Sequence, residues 1–126
     1  MLSYIIDKWE GNCMPFITFT TTKTLTLNQE KALKESAGQL ISILPHKKEE
    51  NLMIHIEDNQ VMYFRGQEME CMKISCQLFH TTEYAHKKEF AEKLLKEVER
   101  ITKIPVEQQY LSIEEFENWG KNGEYL

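Results

Sequence analysis

Met14-Pro15-Phe16-Ile17-Thr18-Phe19-Thr20-Thr21 decides how this chain is read. A Met-Pro pair leads straight into a run of aromatic and β-branched residues, and Phe16 to Thr22 is expected to form a strand. Were Pro15 the mature N-terminus, its nitrogen would be a secondary amine and therefore a base. With residues still ahead of it, that nitrogen is an imide with neither basicity nor an N–H. Fourteen residues precede Pro15 here. Trp9-Glu10-Gly11 must be encoded by a purine-rich run a short spacer before the Met14 codon. In a bacterial gene that run would resemble a ribosome-binding site, so translation from Met14 is the expectation.

Downstream, Leu33, Ala37, Leu40, Ile41 and Leu44 fall at helical spacing, which predicts an amphipathic helix from Asn28, as N-cap, to the stop at Pro45. Leu52 to Glu57 reads as a second strand and Val61 to Phe64 as a short returning one, followed by an Arg65-Gly66-Gln67 loop. Cys71 to His80 alternates, with Met72, Ile74, Cys76 and Leu78 on one side. Phe90, Ala91, Leu94, Val98 and Ile101 stripe a second helix, residues 86–103, that ends before Pro105. Gln108 to Phe116 is a last strand, and a glycine-punctuated tail follows.

The order is β-α-β(β)-β-α-β, an α+β fold of two consecutive β-α-β units: a four-stranded mixed sheet with two helices on one face. Two helices cover one face of a sheet. Leu78, Ile113, Phe16 and Tyr63 add apolar area beyond what that layer is expected to bury, so further copies of the chain, in a closed ring, are expected on the other face.

The 126 residues fit one domain, residues 14–126, preceded by a short extension, residues 1–13. Charged residues make up 28% and hydrophobic ones 41%, as in an ordinary globular protein. A net charge of -5 and a pI near 5.4 argue against nucleic acid or an anionic membrane as partner. No apolar run approaches the roughly 20 residues of a membrane span, and the expected location is cytoplasmic, secretion without a signal peptide being compatible with it. The three cysteines, Cys13, Cys71 and Cys76, contain no C-x-x-C and suggest free thiols. No spacing of His and carboxylates points to a metal, and no cofactor is expected.

The Met-Pro start on a strand, the two β-α-β units and the tail Asn118-Trp119-Gly120-Lys121-Asn122-Gly123 together resemble the macrophage migration inhibitory factor (MIF) branch of the tautomerase superfamily, over nearly all of residues 14–123. The resemblance implies a homotrimer with pockets between subunits, and phenylpyruvate- or dopachrome-type tautomerase activity without cofactor or metal. It implies Pro15 as catalytic base. It implies Lys47, eight residues before His55, as the active-site lysine. Phe79 would take the place of the apolar residue whose backbone helps hold substrate. Tyr110, with Ser112 two residues on where the family often has Asn, would come from the neighbouring subunit. The family's aromatic after the tail glycine is here Lys121, which alters the pocket wall.

Enol–keto tautomerisation needs a base near neutral pKa and a group that stabilises a developing oxyanion. A buried amine beside a cation such as Lys47 fits the first need. The alternatives are a non-catalytic trimer acting as a cytokine mimic, and a small-molecule- or protein-binding module. In a chain that keeps residues 1–14, tautomerase activity is expected to be blocked.

Overall fold

The computed structural model describes residues 14–126; the extension, residues 1–13, lies outside the described residues. Strand β1 (Pro15–Thr21) leads to helix α1 (Leu27–Leu40) and strand β2 (Met53–Glu57), which pairs parallel with β1. A two-strand hairpin, β3 (Tyr63–Phe64) and β4 (Gln67–Glu68), follows. Strand β5 (Met72–Phe79), helix α2 (Tyr84–Thr102) and strand β6 (Gln109–Phe116) repeat the parallel unit. The chain closes on β7 (Gly120–Lys121) and β8 (Glu124–Tyr125), a second hairpin. β1 and β5 pair antiparallel at the centre, giving the order β2-β1-β5-β6.

Capping starts α1 two residues earlier than Asn28. Thr26 Oγ1 accepts from the Gln29 backbone N–H at 3.1 Å, and Gln29 Oε1 accepts from the Thr26 N–H at 2.9 Å. That reciprocal Thr-x-x-Gln box satisfies two orphan donors at once, which Asn28 alone cannot do. After Leu40 the chain tightens into a 3-10 turn, Ile41–Ile43, and Leu44 is extended, as the residue before Pro45 must be.

Ile17, Phe19, Ile74, Cys76 and Leu78 share one face of the sheet and pack against Leu33, Ala37 and Ile41 from α1 and its 3-10 extension and Phe90, Leu94 and Val98 from α2. Burial there pushes the Cys76 thiol up to about 12, against a smaller opposing pull from Lys73. The opposite face differs from expectation. Leu78 is fully buried on the helix side and Ile113 packs against the same core, so neither adds to the open face. The open face is polar instead. Across it run the register rows Met53–Phe16–Gln77–Glu114, His55–Thr18–Ser75–Ser112 and Glu57–Thr20–Lys73–Tyr110. Lys73 Nζ donates to Ser75 Oγ at 3.1 Å and to Ser112 Oγ at 2.7 Å.

Of the four hairpin strands, β3 falls within the expected Val61–Phe64 strand, while β4, β7 and β8 escaped the pattern because two-residue strands carry no period. Their turns do carry a signal. Arg65-Gly66 has φ of 56° and 74°, and Asn122-Gly123 has 54° and 77°. Two successive positive φ values are what a two-residue turn of the I′ kind demands, and glycine meets the demand without steric cost.

Candidate active site at one end of the sheet

Antiparallel pairing sets Pro15, at the start of β1, opposite Leu78, at the end of β5. Parallel pairing of β5 and β6 sets Phe79 beside Phe116. The start of β1 and the ends of β5 and β6 therefore meet at one end of the sheet. Pro15 is buried there. The Phe79 backbone N–H donates to the Met14 carbonyl at 3.3 Å, which ties the two strand ends together.

Lys47 lies in what reads as a solvated, charged connector, yet it is only 4% exposed. Its ammonium donates to the Phe79 carbonyl at 3.3 Å. Pro15, Lys47 and Phe79 are thus gathered through Phe79's two backbone groups, one facing β1 and the other Lys47. An ammonium held out of water needs such an acceptor to offset its desolvation.

Around this trio sit groups that the sequence did not single out. His80 stacks on Phe79, with ring centroids 3.6 Å apart, and holds a left-handed φ of 72°. Partial burial, and secondly the Lys47 charge, keep its imidazole below the usual histidine range. Glu115 accepts from Lys87 Nζ at 2.9 Å and from the Thr82 backbone N–H. Burial pushes its carboxyl up, but those hydrogen bonds and the charges of Lys87 and Lys47 outweigh it and hold the group below the carboxylate range.

The depressed His80 value sets a pH dependence. His80 binds a proton more readily in the unfolded chain than in the folded one. Its contribution to stability is therefore complete above the unfolded value of about 6.5, and is lost as pH falls through the lower folded value. Between about pH 7.5 and about pH 5.5 the urea midpoint is expected to fall further in the parent than in His80→Asn, since Asn tolerates the left-handed backbone and does not titrate. Equal pH slopes for the two proteins would remove His80 from this role.

Tyr110 and Ser112 lie elsewhere. Tyr110 is the second residue of β6, at the far end of the sheet and opposite Lys73, and is 65% exposed. Its ring meets Phe64 of the β3–β4 hairpin edge-on at 5.3 Å. Along β6 it is about 20 Å from Phe116, at roughly 3.3 Å per residue. Within one chain, neither Tyr110 nor Ser112 reaches Pro15.

A cavity of about 710 Å³ opens beside Pro15. Its floor includes Pro15, Phe16 and Gln77, and the C-terminal hairpin forms its wall through Trp119, Lys121 and Tyr125. The hairpin is folded back by mutual backbone hydrogen bonds between Trp119 and Leu126, at 2.7 and 3.3 Å. Trp119 stands 6.2 Å from Phe79 and 5.9 Å from Phe116, centroid to centroid, so the cavity wall and the Lys47–Phe79 contact adjoin.

No protein-family model matches the chain, and no curated protein matches it by sequence. Solved structures do match. MIF2 of Leishmania major superposes with a TM-score of 0.83 at 18% identity, over 90% of this chain and 97% of that one. The MIF homologue of Prochlorococcus marinus gives 0.78 at 19% identity, over 87% and 97%. A fused 4-OT, described as an asymmetric trimer, gives 0.78 at 13% identity, over 86% and 94%.

The chain has a MIF-like fold.

At these identities the likeness is one of architecture, and it covers 86–90% of the chain. In the MIF-like fold of this chain, the antiparallel β1–β5 pair brings the Met-Pro segment and the end of β5 to the same end of the sheet, where the cavity lies.

Proposed function

We propose that the chain is a MIF-like tautomerase, interconverting enol and keto forms of phenylpyruvate-type 2-keto acids with the amine of Pro15 as base once Pro15 is the N-terminus. The observation that carries this reading is the position of Pro15, in the wall of a cavity and one strand away from the Lys47–Phe79 contact. A free amine at that point would be partly desolvated and near an ammonium, and both effects favour its neutral, proton-accepting form. Lys47 would also offset negative charge that develops on the substrate oxygen. Proline's ring would hold the nitrogen in one orientation.

Tyr110 and Ser112 enter only between chains. In a homotrimer a neighbour's Tyr110 would close the cavity with an aromatic wall and a hydroxyl donor. The polar rows on the open face would then line the space between the three sheets. The superposition on a trimeric 4-OT supports that assembly. No helix among the described residues is long and apolar enough to cross a membrane.

A second reading follows from covalent structure. While Met14 precedes it, the Pro15 nitrogen is an imide and cannot take a proton. In that state the same cavity would serve a non-catalytic binding protein. The experiment is enol-to-keto conversion of phenylpyruvate by a chain that begins at Pro15. Pro15→Gly is expected to lower kcat/KM by ~10²-fold or more, the usual scale of general-base catalysis. Glycine leaves a primary amine at the same place, so an unchanged rate would mean that the proline ring and its secondary amine are not required.

A further inference from the structure

The lysines of this chain are not all held alike. On α2, Lys88 and Lys93 pair with Glu92 and Glu89, and Lys87 pairs with Glu115. Lys73, on the open face of the sheet, has no carboxylate within ion-pair distance among the described residues. Its ammonium donates instead to Ser112 Oγ at 2.7 Å, to Ser75 Oγ at 3.1 Å and to the Ile74 carbonyl at 3.4 Å. These contacts reach from β5 to β6, so the charge is tied to one place on the sheet. Each serine oxygen that accepts from Lys73 keeps a hydrogen of its own, which must point away from the ammonium. Ser75 and Ser112 are register partners on neighbouring strands, about 4.8 Å apart. Two hydroxyl donors at that spacing reach two oxygens of one anion. The bond to Ile74 is the longest of the three, so its hydrogen turns to a ligand at least cost.

We infer that Lys73, Ser75 and Ser112 form a binding site for a small tetrahedral oxyanion, a phosphate or phosphomonoester, on the open face of the sheet. Three donors in a triangle suit the three free oxygens of such a group better than the two of a carboxylate. The ammonium makes the contact charge-assisted, and so stronger than a neutral hydrogen bond. Thr18 and Thr20, beside Ser75 and Lys73 on β1, add two hydroxyls to the same patch. Glu57 and Glu114 share this face but stand apart. Glu57 ends the Lys73 row two strands away, roughly 10 Å off, with His55 Nδ1 3.6 Å from its carboxylate. Glu114 lies two residues past Ser112 on β6, about 7 Å along the strand. Lys73 is opposite Tyr110, at the end of the sheet remote from Pro15, so the site is separate from the cavity there and independent of the reaction proposed for it. In the proposed trimer the trio faces the space between the sheets, where less water screens the charge.

The test is titration of the full 126-residue chain with inorganic phosphate and with phenyl phosphate, ionic strength being held constant with chloride. The readout is the backbone amide resonances of Ser75 and Ser112. Both are expected to shift and to saturate with phosphate. Lys73→Met should weaken binding about tenfold or more, the scale of one hydrogen bond to a charged group, and Lys73→Arg should keep most of it. Ser75→Ala and Ser112→Ala should each weaken it by a smaller factor. Lys93→Met removes an exposed charge from α2 and should leave the affinity unchanged, which separates a site from general attraction. Tighter binding of phenyl phosphate would support a phosphomonoester as the ligand, and equal or weaker binding would support the free ion. The inference is overturned if phosphate gives no saturable shift at Ser75 or Ser112, if chloride alone reproduces the shifts, or if Lys73→Met binds phosphate as tightly as the parent.

Discussion

Phe19→Ala is expected to lower the free energy of unfolding by about 3–5 kcal/mol, the range for removing a buried aromatic from a packed core. Phe19 is at the middle of β1, fully excluded from solvent, and in the same cluster as core residues of both helices. Its strand is paired on both sides, by β2 and by β5, so the backbone cannot collapse into the space the ring leaves. Domains of this kind are stable by only about 5–15 kcal/mol, so the loss takes up a large share of the total. Urea titration at fixed pH measures it. Phe16→Ala is the control: Phe16 neighbours Phe19 in sequence terms but points to the open face, and its loss should be clearly smaller. Equal losses at the two positions would mean that the sheet's faces are misassigned.

Lys47→Met should lower kcat/KM by ~10²-fold in a chain that begins at Pro15, within the usual range for losing one electrostatic stabiliser of an oxyanion. Methionine retains most of the buried length and removes the charge. If the ammonium also keeps the Pro15 amine neutral, its removal makes that amine easier to protonate. The acid limb of the kcat/KM profile should then move to higher pH. A purely structural lysine would give a different pattern. Its loss would lower stability, because the Phe79 carbonyl loses its donor, and would leave the position of the limb unchanged.

The fold was legible wherever a period ran long enough to read. The alternation Met72, Ile74, Cys76, Leu78 named the buried side of β5, and the stripe Phe90, Leu94, Val98, Ile101 named that of α2. The same alternation places Leu78 on the helix side, so the open face did not need it to be apolar. Helix α1 started at a capping box that Thr26 and Gln29 spell out, a stronger mark than Asn28. Of the hairpin strands, β3 alone lay within an expected strand, Val61–Phe64, and the turns were signalled by Arg65-Gly66 and Asn122-Gly123.

The site was less legible, for a physical reason. Local sequence shows neither burial nor contact between distant strand ends. Lys47 stands among His46, Lys48, Glu49 and Glu50 and has the look of a solvated residue, but tertiary packing covers it and turns it to Phe79. His80 and Glu115 come together only because β5 and β6 end side by side. Lys121 was visible as a break in the tail pattern, and its place in the cavity wall depends on how the hairpin folds back.

The state of one nitrogen carries the proposed chemistry, and two chains differ in it: one beginning at Pro15, and the full chain beginning at Met1. The measurement is enol-to-keto conversion of phenylpyruvate by both under the same conditions. The expected result is turnover by the first and a loss of ~10²-fold or more in the second, where the nitrogen is an imide. Equal rates in the two chains, or none above background in the chain beginning at Pro15, would contradict catalysis by the proline amine.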